Sequence, residues 1–157
     1  MALALGGCGV ARQGYSVQAA TAVVSVTPYP ALETTQVARG REVYTQSCAS
    51  CHGPKAEGAP NWATPGPDGL GLAPPHDNTG HTWHHSDRVL YEMIRDGMSD
   101  PLRPGSPLRM PAFGGTLSDS DIRAVIEYFK SLWVAENRQY QWDQTREDFA
   151  PTPTPPQ

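Results

Sequence analysis

The residues best suited to chemistry in this chain lie in the stretch Cys48-Ala49-Ser50-Cys51-His52. The pattern Cys-x-x-Cys-His is typical of the attachment site of a c-type haem. Two thiols three positions apart can bond the two vinyl groups of one porphyrin, and the adjoining histidine can then bind the iron as an axial ligand. The stretch therefore predicts one covalently bound haem c and redox chemistry.

Two other kinds of site can contain a Cys-x-x-Cys pair. A structural zinc site needs four ligands, usually from two such pairs, and the only other cysteine, Cys8, lies in a very different context near the N-terminus. A thioredoxin-like redox pair belongs beside a βαβ pattern, which the sequence does not show. The haem interpretation is favoured over both.

A second axial ligand for the iron is offered by Met110. A methionine thioether is a soft ligand that favours Fe(II), so His/Met ligation raises the reduction potential and suits an electron carrier. Met110 could instead fill the core. Its position in a Pro/Gly-rich loop just before a helix start favours the ligand role, whereas Met93 fits an apolar helical stripe and Met98 follows the helix stop at Gly97.

Three predicted helices must position these residues. Thr34 or Thr35 can cap the first, which leads into the haem motif. Ser86 can cap the second, which stops at Gly97, and Ser118 begins a capping box at the start of the third. Their apolar stripes contain Val37, Gly40, Val43 and Tyr44; Val89, Leu90, Met93 and Ile94; and Ile122, Val125, Ile126, Phe129 and Leu132. The only β-like run is residues 23–26.

The order of these elements over residues 34–135 resembles the small monohaem class I cytochromes c. The resemblance implies an all-α class I cytochrome c fold wrapped around one covalent haem, with extended N- and C-terminal segments. It places the axial ligands of the iron on His52 and Met110. It also implies that the first and last helices pack through Gly40 and Tyr44, opposite Val125 and Tyr128.

The proline-rich loop and the histidines after it are predicted to lie beside the haem. By the resemblance, a carbonyl in Ala73-Pro74-Pro75 accepts the Nδ1 proton of His52, which fixes the ring and raises its basicity. We therefore expect Pro75 and Trp83 to be cofactor-binding residues. The histidines around Trp83 have two interpretations, a second copper or zinc site or a wall that binds a haem propionate, and the second is favoured; they are His76, His81, His84 and His85.

Length and composition predict one domain with flanking segments. The 157 residues include 16 prolines and 15 glycines, concentrated outside the predicted helices. We divide the chain into a signal or lipobox remnant (1–8), a flexible tether (9–33), the cytochrome domain (34–135) and an extended aromatic and proline-rich tail (136–157). The tail is expected to pack on the domain or on a partner subunit through Tyr140, Trp142 and Phe149.

The N-terminus suggests membrane attachment. Leu5-Gly6-Gly7-Cys8 resembles a bacterial lipobox, in which the cysteine is lipidated, although a chance match is the alternative. Since attachment of haem c in bacteria requires export, we expect a protein on the periplasmic side of the cytoplasmic membrane with a lipid anchor at Cys8. A formal net charge of -4 argues against nucleic acid as a partner and favours docking on a redox protein or membrane complex.

The residues together predict an electron-transfer protein rather than an enzyme. It is expected to carry one electron in a respiratory or photosynthetic chain, and it is similar to the monohaem cytochrome subunit of alternative complex III, a quinol-oxidising complex. One alternative is a haem-based sensor or enzyme module with an open sixth site, in which Met110 does not bind iron. Another is an assembly subunit whose haem is mainly structural.

Overall fold

The regular secondary structure of the described residues is almost entirely helical. The computed structural model describes residues 27–99 and 108–149. In these ranges an antiparallel pair of short strands joins Met98 to Met110, which the sequence did not predict because two or three residues show no alternation. The predicted all-α class is confirmed by the order of elements, which is α1 (Thr34–Ser47), α2 (Ala49–His52), a 3₁₀ turn (Thr82–His84), α3 (Asp87–Asp96), β1 (Met98–Ser99), β2 (Leu108–Met110), α4 (Asp119–Ser131) and α5 (Ala135–Asp148).

Helices α1 and α4 form the centre of the core. Gly40 is buried where they meet, and a Cβ atom there would lie 1.9 Å from the carbonyl oxygen of Ala124. One turn later the rings of Tyr44 and Tyr128 lie 5.3 Å apart. The predicted pairing of Gly40 and Tyr44 with the last helix of the cytochrome domain is therefore confirmed.

The helix ends follow local capping chemistry. The Ser86 side chain accepts a hydrogen bond from the backbone N–H of Val89, and Ser118 accepts one from Asp121, as predicted. Gly97 ends α3 with φ of 74°, a left-handed conformation that favours glycine. The predicted threonine cap of α1 is wrong, because the N-cap residue is Glu33, which makes no side-chain capping bond.

The prediction of an extended tail is wrong as far as Asp148, because α5 is helical. Its buried side chains are polar, so the segment carries no apolar stripe. The Gln141 amide donates to Asp87 Oδ1 at 2.7 Å, and the backbone N–H of Asp87 donates to the Thr145 hydroxyl at 3.0 Å. Asp148 accepts a hydrogen bond from the Ser86 hydroxyl. The face of α5 that contacts α3 is thus held by hydrogen bonds.

Residues 27–33, predicted as the end of a flexible tether, lie on α5. The Gln139 amide donates to the carbonyl of Thr27 at 3.0 Å and accepts from the N–H of Tyr29 at 3.3 Å. The Arg138 guanidinium lies 4.2 Å from the centre of the Tyr29 ring, a cation–π contact. Residues 23–26, the lipobox and the end of the tail fall outside the described residues.

The helices of the described ranges are not membrane spans. None of those within residues 27–99 and 108–149 has both the length and the apolar composition to cross a bilayer.

We predict that Gly40→Ala lowers the free energy of unfolding by about 3 kcal/mol, because the new methyl group meets backbone that can move only with α4. In an isolated helix the same change would stabilise the helix by about 1 kcal/mol. A loss of stability in the protein therefore reports the contact between the two helices. Denaturant unfolding of the haem-loaded protein measures it. Gly71→Ala is the matched control, since a Cβ at Gly71 meets nothing within 4 Å. Equal stability of the two variants would contradict the prediction.

Candidate haem-attachment site

The two cysteines and the histidine of the motif lie on one short helical turn. Cys48 ends α1 with its N–H bonded to the carbonyl of Tyr44 at 2.9 Å, and its own carbonyl accepts from the N–H of His52 at 3.0 Å. Cys48 is half-buried, Cys51 is exposed, and both thiols are free. The Tyr44 hydroxyl donates to the carbonyl of Gly53 at 2.6 Å, so α1 also fixes the end of the turn. Two thiols are thus presented one turn apart, as the motif predicts.

The surroundings of the cysteines disfavour the zinc and thioredoxin-like interpretations. Burial, together with the neighbouring Cys51, raises the pKa of the Cys48 thiol to about 11, the opposite of the lowered pKa of a reactive thioredoxin-like cysteine. In residues 27–99 and 108–149, no group of three or more His, Cys, Asp and Glu side chains is arranged to hold a metal ion. The same ranges contain no βαβ unit.

The surroundings of His52 leave its Nε2 atom available to bind a metal. Its ring is buried, and Nδ1 lies 2.9 Å from the carbonyl oxygen of Pro74. A carbonyl can only accept, so Nδ1 carries the proton and Nε2 keeps a free lone pair. Burial lowers the pKa of His52, and the bond to Pro74 acts in the opposite direction, so the imidazole is neutral at neutral pH. The prediction that a carbonyl of residues 73–75 accepts the Nδ1 proton of His52 is confirmed, and the carbonyl is that of Pro74.

Pro75 does not supply the carbonyl that binds His52. Its side chain is buried in the core instead. It is among the fully buried side chains, and its own carbonyl accepts a hydrogen bond from the Thr82 hydroxyl at 3.3 Å. A direct contact between Pro75 and a cofactor stays a prediction.

Met110 lies on β2, half-buried against the core. The loop after it closes onto the end of α3, where the N–H of Phe113 donates to the carbonyl of Ile94 at 3.0 Å and that of Gly114 to Arg95 at 2.9 Å. Gly97 permits this approach, since a Cβ there would lie 2.5 Å from the carbonyl oxygen of Met110. The position of the methionine is therefore set by the C-terminal end of α3.

The four histidines around Trp83 do not form one group. The His76 ring lies between the rings of His52 and Phe129, with both centroid separations 4.2 Å. Burial and the nearby imidazoles hold the pKa of His76 well below its ordinary value. This contact was missed because the sequence suggested only a metal site or a propionate wall for His76.

The other three histidines lie with aromatic rings nearer the surface. His81 and His85 have ring centroids 5.7 Å apart, and His84 contacts Trp83 at 3.8 Å and Tyr140 at 5.4 Å. The indole N–H of Trp83 donates to the carbonyl of Gly80 at 3.1 Å. A propionate bond from Trp83 would have to share or replace this bond, and it stays a prediction.

The site fits a covalent haem in the chemistry of its donors. It presents two free thiols and a neutral imidazole with an available Nε2, and the Met110 thioether lies on β2 against the same core. The haem, once bound through Cys48 and Cys51, supplies an iron that changes by one electron between two oxidation states.

Comparison with known proteins agrees with this chemistry. The Cytochrome c family matches residues 37–133, so the chain belongs to the cytochrome c family and carries the class I c-type fold. Its cofactor is a covalently bound haem c, and its chemistry is electron transfer.

One relative is the cbb3-type cytochrome c oxidase subunit CcoP of Azospirillum sp. (strain B510), which is 34% identical over 97 residues. The match covers 62% of this chain and 29% of that protein, so this chain aligns with less than a third of its relative. Among solved structures, cytochrome cL of Methylophaga aminisulfidivorans aligns with a TM-score of 0.45 at 17% identity, covering 78% of this chain and 74% of that one.

Proposed function

We propose that this protein carries single electrons on one haem c whose iron is bound by His52 and Met110. The observation that carries the proposal is the bond from His52 Nδ1 to the Pro74 carbonyl, which leaves Nε2 for iron. A backbone acceptor on the other ring nitrogen is the usual means of orienting a metal-bound histidine and raising its basicity. The thioether of Met110 completes a ligand pair suited to electron transfer.

The position of Met110 supports a ligand role over simple core filling. The side chain contacts the core but is not fully buried, and its backbone is fixed by the end of α3 and by pairing with Met98. A ligand held by rigid backbone moves little when the iron changes oxidation state, which favours rapid electron transfer. If the sixth site of the iron is open, Met110 does not bind it, and the Met110→Ala variant described below should leave the spectrum and the reduction potential unchanged.

We further propose that the protein works beside or within a membrane complex of an electron-transfer chain. Its relative is a subunit of a cytochrome c oxidase. Helix α5 and residues 27–33 lie outside the matched range 37–133 and contact each other. Tyr140 and Phe149, which are 44% and 70% exposed, would then contact a partner subunit. A quinol-oxidising complex is the first partner to test.

The proposed location is the outer face of the cytoplasmic membrane, with Cys8 as lipid anchor. The support is the lipobox-like stretch ending at Cys8, together with the export that haem c attachment requires. Two lipid groups on one residue suffice for stable attachment to the membrane, whereas a single acyl chain holds a protein there only marginally.

We predict that Met110→Ala abolishes the weak far-red charge-transfer band of the ferric protein, lowers the reduction potential and lets the ferrous iron bind carbon monoxide, because the sulfur ligand is lost. Absorption spectra and a redox titration measure this. Met98→Ala, at the paired position on β1, is the control and should leave all three properties unchanged. A wild-type protein that already binds carbon monoxide and lacks the band would instead support an open sixth site.

We predict that protein isolated from native membranes begins at Cys8 and exceeds the mass of polypeptide plus haem by its lipid. Cys8→Ser should move the protein to the soluble fraction, because the anchor is lost. Intact-mass spectrometry and fractionation measure both effects. A native N-terminus at Met1 without added mass would refute the anchor.

We predict that the double variant Tyr140→Ser/Phe149→Ser reduces co-purification with a membrane complex several-fold while its haem spectrum stays that of wild type, since both side chains are exposed on the chain segment that follows the haem domain. Quantitative mass spectrometry of the native complex measures it. Gln46→Ser, an exposed polar position on α1, is the control. If wild-type protein purifies alone, the resident-subunit proposal fails and a tethered shuttle becomes the better account.

A further inference from the structure

Four consecutive carbonyls, those of residues 73–76, are each held by a donor from a different part of the chain. The carbonyl of Ala73 accepts from the N–H of Ala59 at 2.9 Å. The other three acceptors all receive side-chain donors. They are Pro74 from His52 Nδ1 at 2.9 Å, Pro75 from Thr82 Oγ1 at 3.3 Å and His76 from Trp133 Nε1 at 2.8 Å.

The two prolines leave this segment with few other means of fixing its backbone. Pro74 and Pro75 have no N–H, so the next backbone donor is the N–H of His76, which donates to Ala56 at 2.8 Å. The place of the Pro74 carbonyl is therefore set by the bonds on either side of it. Gly58 and Gly80 close around Pro75, where added Cβ atoms would lie within 3 Å of its backbone.

Trp133 connects this segment to the end of α4. The indole is 5% exposed, and its N–H donates to a carbonyl 57 residues earlier in the chain. Phe129, one turn before Trp133, contacts the His76 ring, which in turn contacts the His52 ring. The same helix end thus acts on the His52 ring through an aromatic contact and on its acceptor through the backbone.

The Thr82 hydroxyl completes the arrangement. A hydroxyl has one proton, and Thr82 gives it to the carbonyl of Pro75. It therefore accepts the Nδ1 proton of His76 at 2.8 Å, and this bond holds the His76 ring in its place between His52 and Phe129.

We propose that Trp133 is a positioning residue for the axial histidine: by holding the carbonyl of His76, it keeps the Pro74 carbonyl on the Nδ1 proton of His52. The inference rests on the proposed function, in which His52 binds the iron. A shorter, better aligned bond at Nδ1 makes Nε2 more basic and favours the ferric iron. Loss of the indole donor therefore raises the reduction potential and exposes the Nδ1 proton to exchange.

The experiment compares Trp133→Phe with Trp142→Phe in the haem-loaded full-length protein. Each variant removes an indole N–H and keeps an aromatic ring. The N–H of Trp142 is the control, since it is buried and has no hydrogen-bond partner in residues 27–99 and 108–149. Redox titration gives the potential, and NMR of the reduced protein gives the exchange rate of the His52 Nδ1 proton.

We expect Trp133→Phe to raise the potential and to speed exchange of that proton about fivefold, the effect of losing one ordinary hydrogen bond. Trp142→Phe should change neither. Lower thermal stability of Trp133→Phe with an unchanged potential and exchange rate would show a purely structural role and overturn the inference.

Two further results keep the interpretation separate from the ligand assignment. If the His52 ring protons of wild-type protein lack the large shifts of an iron ligand, the proposed function fails before Trp133 is tested. If Trp133→Phe does not incorporate haem, benzothienylalanine introduced at the Trp133 position takes its place, because it keeps the bicyclic ring and removes only the N–H that the His76 carbonyl accepts. An unchanged potential and exchange rate in that variant would overturn the inference.

Discussion

The contact of α1 with α4 at Gly40 is the constraint on which the site depends. With no side chain at this position, the two helix backbones touch. Each helix then supplies part of the surroundings of His52. Helix α1 leads directly into the cysteine pair and holds the end of the next turn through the Tyr44 hydroxyl. Helix α4 brings Phe129 and Trp133 to the other side. A change in their separation would move His52 relative to the residues that support its ring.

A second level of organisation comes from α5, whose buried face is polar. Gln141 and Thr145 are 2% and 4% exposed, and they bond to the start of α3 rather than filling apolar space. Lys130 joins the same region through an ion pair with Asp87 at 2.8 Å. Hydrogen bonds demand defined geometry, so this interface specifies one docking of α5, whereas an apolar face tolerates several. The start of α3 is fixed by α5, and its end holds the loop of Met110.

The parts of the fold that sequence could predict are those encoded by neighbouring residues. Ser86, Gly97 and Ser118 mark helix ends because a capping residue acts within one turn. The cysteine motif is likewise local. The acceptor of the His52 Nδ1 proton can be limited to residues 73–75 only through resemblance to a family, since nothing in the proline run itself indicates a histidine partner. The structure assigns it to the Pro74 carbonyl.

The parts that could not be predicted depend on distant or polar partners. Trp133 meets His76 across 57 residues, and no periodic pattern links the two. Helix α5 was missed because its buried side chains would be assigned to solvent in any search for apolar stripes. The β1–β2 pairing involves only two or three residues of each strand, which is too short for alternation to be visible in the sequence.

The bonds between residues 27–29 and α5 also determine where the described chain enters and leaves the domain. Thr27 lies beside Gln139 near the start of α5, and Phe149 follows its last turn, about 15 Å further along the helix axis. Both connections therefore lie on one side, along a single helix. A domain with this geometry can be inserted into a longer polypeptide or joined in tandem to copies of itself without rerouting either connection. Tension applied through the connections would act along α5 before it reached His52 and Met110.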